Sequence, residues 1–108
     1  MVVKENTVLK EDLGNGVSRK ILAHDGEIMM VRVFFEKGAV GYLHTHMHEQ
    51  ASYILKGSFE VILGGEKIVL KKGDTFYVPP EMPHGVMALE EAEILDVFTP
   101  QREDFLTE

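Results

Sequence analysis

Gln50-Ala51-Ser52-Tyr53-Ile54-Leu55-Lys56-Gly57-Ser58-Phe59-Glu60-Val61-Ile62-Leu63-Gly64-Gly65-Glu66-Lys67-Ile68-Val69-Leu70 contains three runs of β-forming residues separated by glycine. Such runs read as strands, and the Gly64-Gly65 pair allows the positive φ values of a two-residue hairpin. Glu66 to Leu70 is therefore expected to return antiparallel to Ser58–Leu63. The same grammar extends outward in both directions. Towards the N-terminus, strands are expected over Val17–Ala23, after Gly14-Asn15-Gly16, and over Glu27–Glu36, which stops at Lys37-Gly38. Towards the C-terminus, Lys71-Lys72-Gly73-Asp74 turns into Thr75–Val78, and Val86–Leu89 and Ala92–Thr99 complete about eight strands. Only a short turn near Arg102–Leu106 suggests helix. Many short strands with frequent glycine turns indicate an all-β sandwich or barrel.

With 108 residues and no linker or repeat, the chain reads as a single domain, residues 1–108. A small barrel of this kind gains stability by pairing, so a homodimer is expected, with Met29–Phe35 supplying an edge. Cysteine is absent, which removes disulfides, thiolate nucleophiles and iron–sulfur clusters from consideration and fits a reducing cytoplasm. Eighteen acidic against eleven basic residues give a net charge of −7. That field repels phosphate backbones and anionic lipid, so no nucleic-acid or membrane partner is expected. No apolar run approaches the ~20 residues of a membrane span. Met1–Asn6 lacks the basic-then-apolar pattern of a signal peptide, and a cytoplasmic location is expected.

Chemistry concentrates in His44-Thr45-His46-Met47-His48-Glu49-Gln50 and in Pro83-His84-Gly85. On an extended strand residues 44, 46, 48 and 50 share one face, so two imidazoles two residues apart can chelate one ion, and His84 can close the site. A solvated loop that binds nothing is the plain alternative for the HxH pair. It is weakened because glycines bracket the cluster and His84 sits behind its own Gly73/Pro79 run. Ile94–Phe105 is the second informative stretch. Asp96 and Phe98 alternate with Leu95 and Val97; if the latter two pack in the core, Asp96 and Phe98 face the barrel interior or mouth. A carboxylate there must be paired or functional, because burying it alone is costly. On the residues alone, a structural hydrogen bond or a pair with Arg102 remains the simpler reading for Asp96. His24, in Ala23-His24-Asp25-Gly26, reads as an exposed turn residue.

Gly38-x5-His44-x-His46-x3-Gln50-x6-Gly57 resembles the first motif of the cupin family, and Gly73-x5-Pro79-x4-His84 resembles the second. The resemblance implies a double-stranded β-helix, or jelly-roll, barrel with one divalent transition metal (nickel, zinc, iron, cobalt or manganese) at its mouth. Gln50 stands where glutamate is usual, Glu81 where glycine is usual, and Ala88 where asparagine is frequent. Three histidines and a glutamine leave the metal at its full +2 charge, a stronger Lewis acid towards an anionic substrate. Glu49 becomes the fourth ligand if the strand bulges, and His48 is given a place around the ligands or at the rim.

The HxHxHEQ run, with the ending Asp96-Val97-Phe98-Thr99-Pro100-Gln101-Arg102-Glu103-Asp104-Phe105, resembles the KdgF pectin-degradation family from about Gly14 to Phe105. That resemblance implies metal ligands at His44, His46, Gln50 and His84, and active-site roles for Asp96, Phe98 and Arg102. It implies conversion of 4,5-unsaturated monouronates, from pectin or alginate breakdown, into linear ketonised sugar acids. Arg102 would hold the substrate carboxylate bidentately, Asp96 would act as general acid/base, and Phe98 would wall the ring. A different small metal cupin (a dioxygenase or sugar isomerase) and a non-catalytic sugar- or metal-binding cupin are the competing expectations.

Overall fold

The computed structural model describes residues 1–106, and ten strands follow one another in that span. They are β1 (Glu11–Gly14), β2 (Val17–Asp25), β3 (Ile28–Phe35), β4 (Val40–His44), β5 (Glu49–Lys56), β6 (Ser58–Leu63), β7 (Glu66–Lys71), β8 (Thr75–Val78), β9 (His84–Ala88) and β10 (Ala92–Thr99). A single-turn helix, α1 (Glu103–Leu106), follows. The expected hairpin is present: β6 and β7 pair antiparallel from Ser58↔Lys71 to Leu63↔Glu66. Gly57 is where the chain leaves one sheet for the other. It has φ +73°, and a Cβ there would lie 2.5 Å from the Glu91 carbonyl oxygen, so only glycine fits.

The strands form two antiparallel sheets that close into the jelly-roll barrel, one ordered β1-β2-β3-β10-β5-β8 and the other β4-β9-β6-β7. Their inward faces hold Phe35, Ile54, Phe59, Val61, Ala88, Ala92 and Ile94 in one cluster, and Met29, Val31 and Phe98 in a second. Phe35 meets Phe59 edge-on with ring centres 5.1 Å apart, a geometry worth about 0.5–1.5 kcal/mol beyond area burial.

Four expectations need correction. β3 lies between β2 and β10 and pairs with both, so Met29–Phe35 offers no edge; the sheet edges are β1, β8, β4 and β7. β1 and β4 were absent from the strand expectation, since neither shows an alternating burial pattern. His24 is not in a turn: it is half-buried on β2 and its Nδ1 lies 2.9 Å from Gln101 Oε1. Finally, Asp96 and Phe98 face inward as expected, but the core residues of β10 are Ile94 and Phe98 on that same face, and Leu95 and Val97 are only half-buried on the other. Both faces of β10 are rich in apolar residues, so alternation alone does not separate inside from outside. The last two residues of the expected single domain lie outside the described ones.

Candidate metal centre

The register of two strands creates a polar end in the barrel. Gln50, Ser52 and Ile54 point inward from β5, opposite Phe98, Asp96 and Ile94 of β10. On the facing sheet, His44 at the end of β4 is the register partner of His84 at the start of β9. His46 is not on a strand, contrary to the alternation expected over residues 44–50. Residues 45–48 form the crossing from β4 in one sheet to β5 in the other, and this crossing lays His46 between the sheets. Potential ligand atoms of His44, His46 and His84 all lie within 4.8 Å of one another. The ring centres are 4.3 Å apart for His44–His84 and 4.7 Å for His46–His84.

Hydrogen bonding decides which nitrogen of each ring faces inward. His44 Nδ1 lies 2.6 Å from the Tyr42 carbonyl oxygen, His46 Nδ1 2.9 Å from that of His48, and His84 Nδ1 2.9 Å from that of Met82. A carbonyl only accepts, so each Nδ1 carries the proton and each Nε2 keeps a lone pair. His84 Nε2 is buried without a partner among the described residues. Burial lowers the His84 pKa to about 4 against the pull of its Met82 bond, which keeps the ring in its neutral, ligating form.

Gln50 completes the test. Its amide nitrogen donates to Ser52 Oγ at 2.9 Å and to Asp96 Oδ1 at 3.3 Å. Its Oε1 consequently faces His46 Nε2 at 3.0 Å. Two lone-pair acceptors held that close repel unless a cation lies against both. The donor set of three imidazole nitrogens and one amide oxygen thus fits a divalent transition metal.

The structure brings Asp96 next to this nest but not onto it. Asp96 Oδ1 accepts from Ser52 Oγ at 2.6 Å as well as from Gln50. Burial raises its pKa to about 6, against the opposing effects of the Ser52 bond and the Arg102 charge. Phe98 packs on His46 with ring centres 5.8 Å apart and forms one wall. A cavity of about 170 Å³ opens beside these groups, lined among others by His44, His84, Gln50, Asp96, Phe98 and Arg102.

Two expected roles change. Arg102 lines the cavity, yet its Nε and one Nη already hold Asp104 at 3.0 and 2.8 Å, a clamp the sequence expectation did not include. Glu49 is exposed and accepts from Tyr77 Oη at 2.6 Å, on the face of β5 opposite Gln50. It therefore does not take part in the nest. His48 packs against His46 at 5.5 Å between ring centres, and burial, followed by the Arg102 charge, lowers its pKa. Ser52 was missed, although the Gln50-Ser52-Ile54 alternation places it inward. Arg19 was missed too, although Val17, Arg19 and Ile21 share one face of β2.

Two antiparallel sheets closing on a three-histidine nest define the class. A model of the cupin domain matches residues 31–98, and the chain belongs to the cupin family. Within that family it is similar to the pectin degradation protein KdgF of Dickeya dadantii, at 48% identity over 98 residues and 89% of each chain. The structure of KdgF from a Halomonas species superimposes with a TM-score of 0.93 at 40% identity, covering 97% of both chains. An RmlC-like cupin from Shewanella frigidimarina gives 0.90, also at 40% identity, covering 97% of this chain and 99% of its own.

Proposed function

We propose that the protein is a metal-dependent enzyme that opens 4,5-unsaturated monouronates to linear ketonised sugar acids. The observation that carries this reading is the juxtaposition, in one cavity, of the acceptor nest, a carboxyl group with a pKa near neutrality and a guanidinium. The similarity to KdgF supports it and ties the chain to pectin degradation.

His44, His46, His84 and Gln50 would hold the metal, which supplies Lewis acidity towards substrate oxygens when bound. Arg102, oriented by Asp104, would face the substrate carboxylate with its remaining Nη. Phe98 would lie along the sugar ring and limit water. Asp96 would move the protons. The substrate is a cyclic enol ether with a double bond between C4 and C5. Proton delivery to C4 and addition of water at C5 give a hemiketal. Its C5–ring-oxygen bond then breaks to leave the C5 ketone, and loss of water from C1 leaves the aldehyde. Water enters once and leaves once, so the net change is an isomerisation. Ser52 and Gln50 both bond Oδ1 of Asp96, which leaves Oδ2 to exchange the proton.

The test is the decay of ultraviolet absorbance of purified unsaturated galacturonate, whose conjugated double bond is consumed. Decay well above a protein-free control, abolished by chelation, is the expected result. Decay at the control rate by protein with metal confirmed in place would overturn the assignment.

A further inference from the structure

The chain has three arginines, at positions 19, 32 and 102, and their partners differ. Arg32 is held by Glu93 and Glu5, with nitrogen–oxygen distances of 2.9 Å to each. Arg102 is clamped by Asp104 through two bonds. Arg19 is different. Its side chain is only 15% exposed, on the inward face of β2 as register partner of Val33, and it lines the cavity beside the histidine nest. Its one carboxylate contact is Nε to Glu11 Oε1 at 3.4 Å, the long end of hydrogen bonding, and that glutamate is 48% exposed. Among the described residues its Nη groups make no hydrogen bond. A largely buried guanidinium so weakly paired is costly unless a ligand completes it.

Phe105 adds the second observation. The guanidinium carbon of Arg19 lies 4.1 Å from the centre of its ring and that of Arg102 lies 4.3 Å from it. Phe105 in turn packs edge-on against Phe98, with ring centres 5.7 Å apart. One ring thus gathers two cations at the cavity, in a protein whose net charge is −7. The positive charge needed to admit an anion is local, and it comes from both residues.

We propose that Arg19 is a second carboxylate-binding residue, forming with Arg102 a two-guanidinium subsite around Phe105 that takes the carboxylate of a sugar acid. A carboxylate offers about four acceptor positions, enough for donors from two guanidiniums. The inference rests on the uronate reading for its substrate and names the residue that distinguishes an acid sugar from a neutral one.

The experiment uses the metal-loaded full chain, with Arg19→Met and Arg19→Lys confirmed as folded by circular dichroism. On unsaturated galacturonate, Arg19→Met should raise KM roughly 10- to 100-fold, the loss of one charge-assisted bond, with kcat changed far less. Arg19→Lys should fall between it and wild type, and carries the test alone if the methionine variant does not fold. In parallel, calorimetric titration compares galacturonate with galactose. Wild type should prefer galacturonate, and in Arg19→Met, where Arg102 remains, that preference should shrink by a similar factor. Unchanged KM and unchanged preference in a folded variant overturn the subsite. If wild type fails to turn over the unsaturated sugar, the ring-opening reading falls. The titration still decides the subsite then, since a preference that depends on Arg19 supports it and no preference in wild type overturns it.

Discussion

Three residues on the inward face of β5 divide the barrel into two halves. Gln50 and Ser52 belong to the polar end, and Ile54, two positions further on, is fully buried in the apolar core. β10 runs the same division in reverse, with Phe98 and Asp96 opposite Gln50 and Ser52, and Ile94 opposite Ile54. The backbone pairing is the same in both halves, so side chains alone make one half a site and the other a seal. In the polar half side chains are oriented by specific hydrogen bonds, as Asp96 is by Ser52 and Gln50. In the apolar half, Phe35, Phe59 and Ile54 exclude water without specific bonds. The division separates stability from chemistry, and each half can be perturbed to test that separation.

Metal removal is the largest expected effect. Dialysis against a chelator should reduce turnover of unsaturated galacturonate to the protein-free rate while the far-ultraviolet circular dichroism stays that of a β-barrel, because the apolar half holds the fold. Activity that survived with no metal found by elemental analysis would break the comparison. Asp96→Asn should lower kcat by about 10²- to 10⁴-fold and leave the thermal midpoint close to wild type. Equal losses of activity and stability would mean that the carboxyl group is structural.

Phe59→Ala works on the other half. It should cost about 3–5 kcal/mol in urea unfolding, while the fraction that remains folded keeps its kcat. Ser52→Ala comes next: the Oγ donor to Asp96 disappears, and kcat should fall by about tenfold, the value of one hydrogen bond, with unfolding measured alongside. Glu49→Gln should be the smallest, within about 0.5 kcal/mol for an exposed position, with metal content unchanged by elemental analysis. Loss of metal in that variant would return Glu49 to the ligand set.

The division also bears on what could be read before folding. The β6–β7 hairpin was legible because Gly64-Gly65 is a local signal and both strands consist of β-formers. The histidines and Gln50 were legible because their spacing is a motif in itself. Arg102 was legible as a cavity residue, but not its clamp by Asp104, since nothing in the order of residues says which carboxylate an arginine will take. The His24–Gln101 contact joins residues 77 apart, a distance that only the finished fold closes. β4 escaped notice because Val40, Tyr42 and Leu43 are all exposed and give no alternation. His46 could not be placed by strand alternation because the chain changes sheets at that point.

Each histidine of the nest is aimed by a carbonyl two residues away in its own segment: Tyr42 for His44, His48 for His46 and Met82 for His84. The rings therefore reach their working orientation as the chain folds, and little rotational freedom is left to lose when an ion arrives. Three imidazoles and an amide oxygen suit several divalent ions, so the identity of the ion in the cell would follow supply as well as affinity. Ions could be exchanged in the purified protein with the barrel left standing, which suits the site to spectroscopic substitution by cobalt.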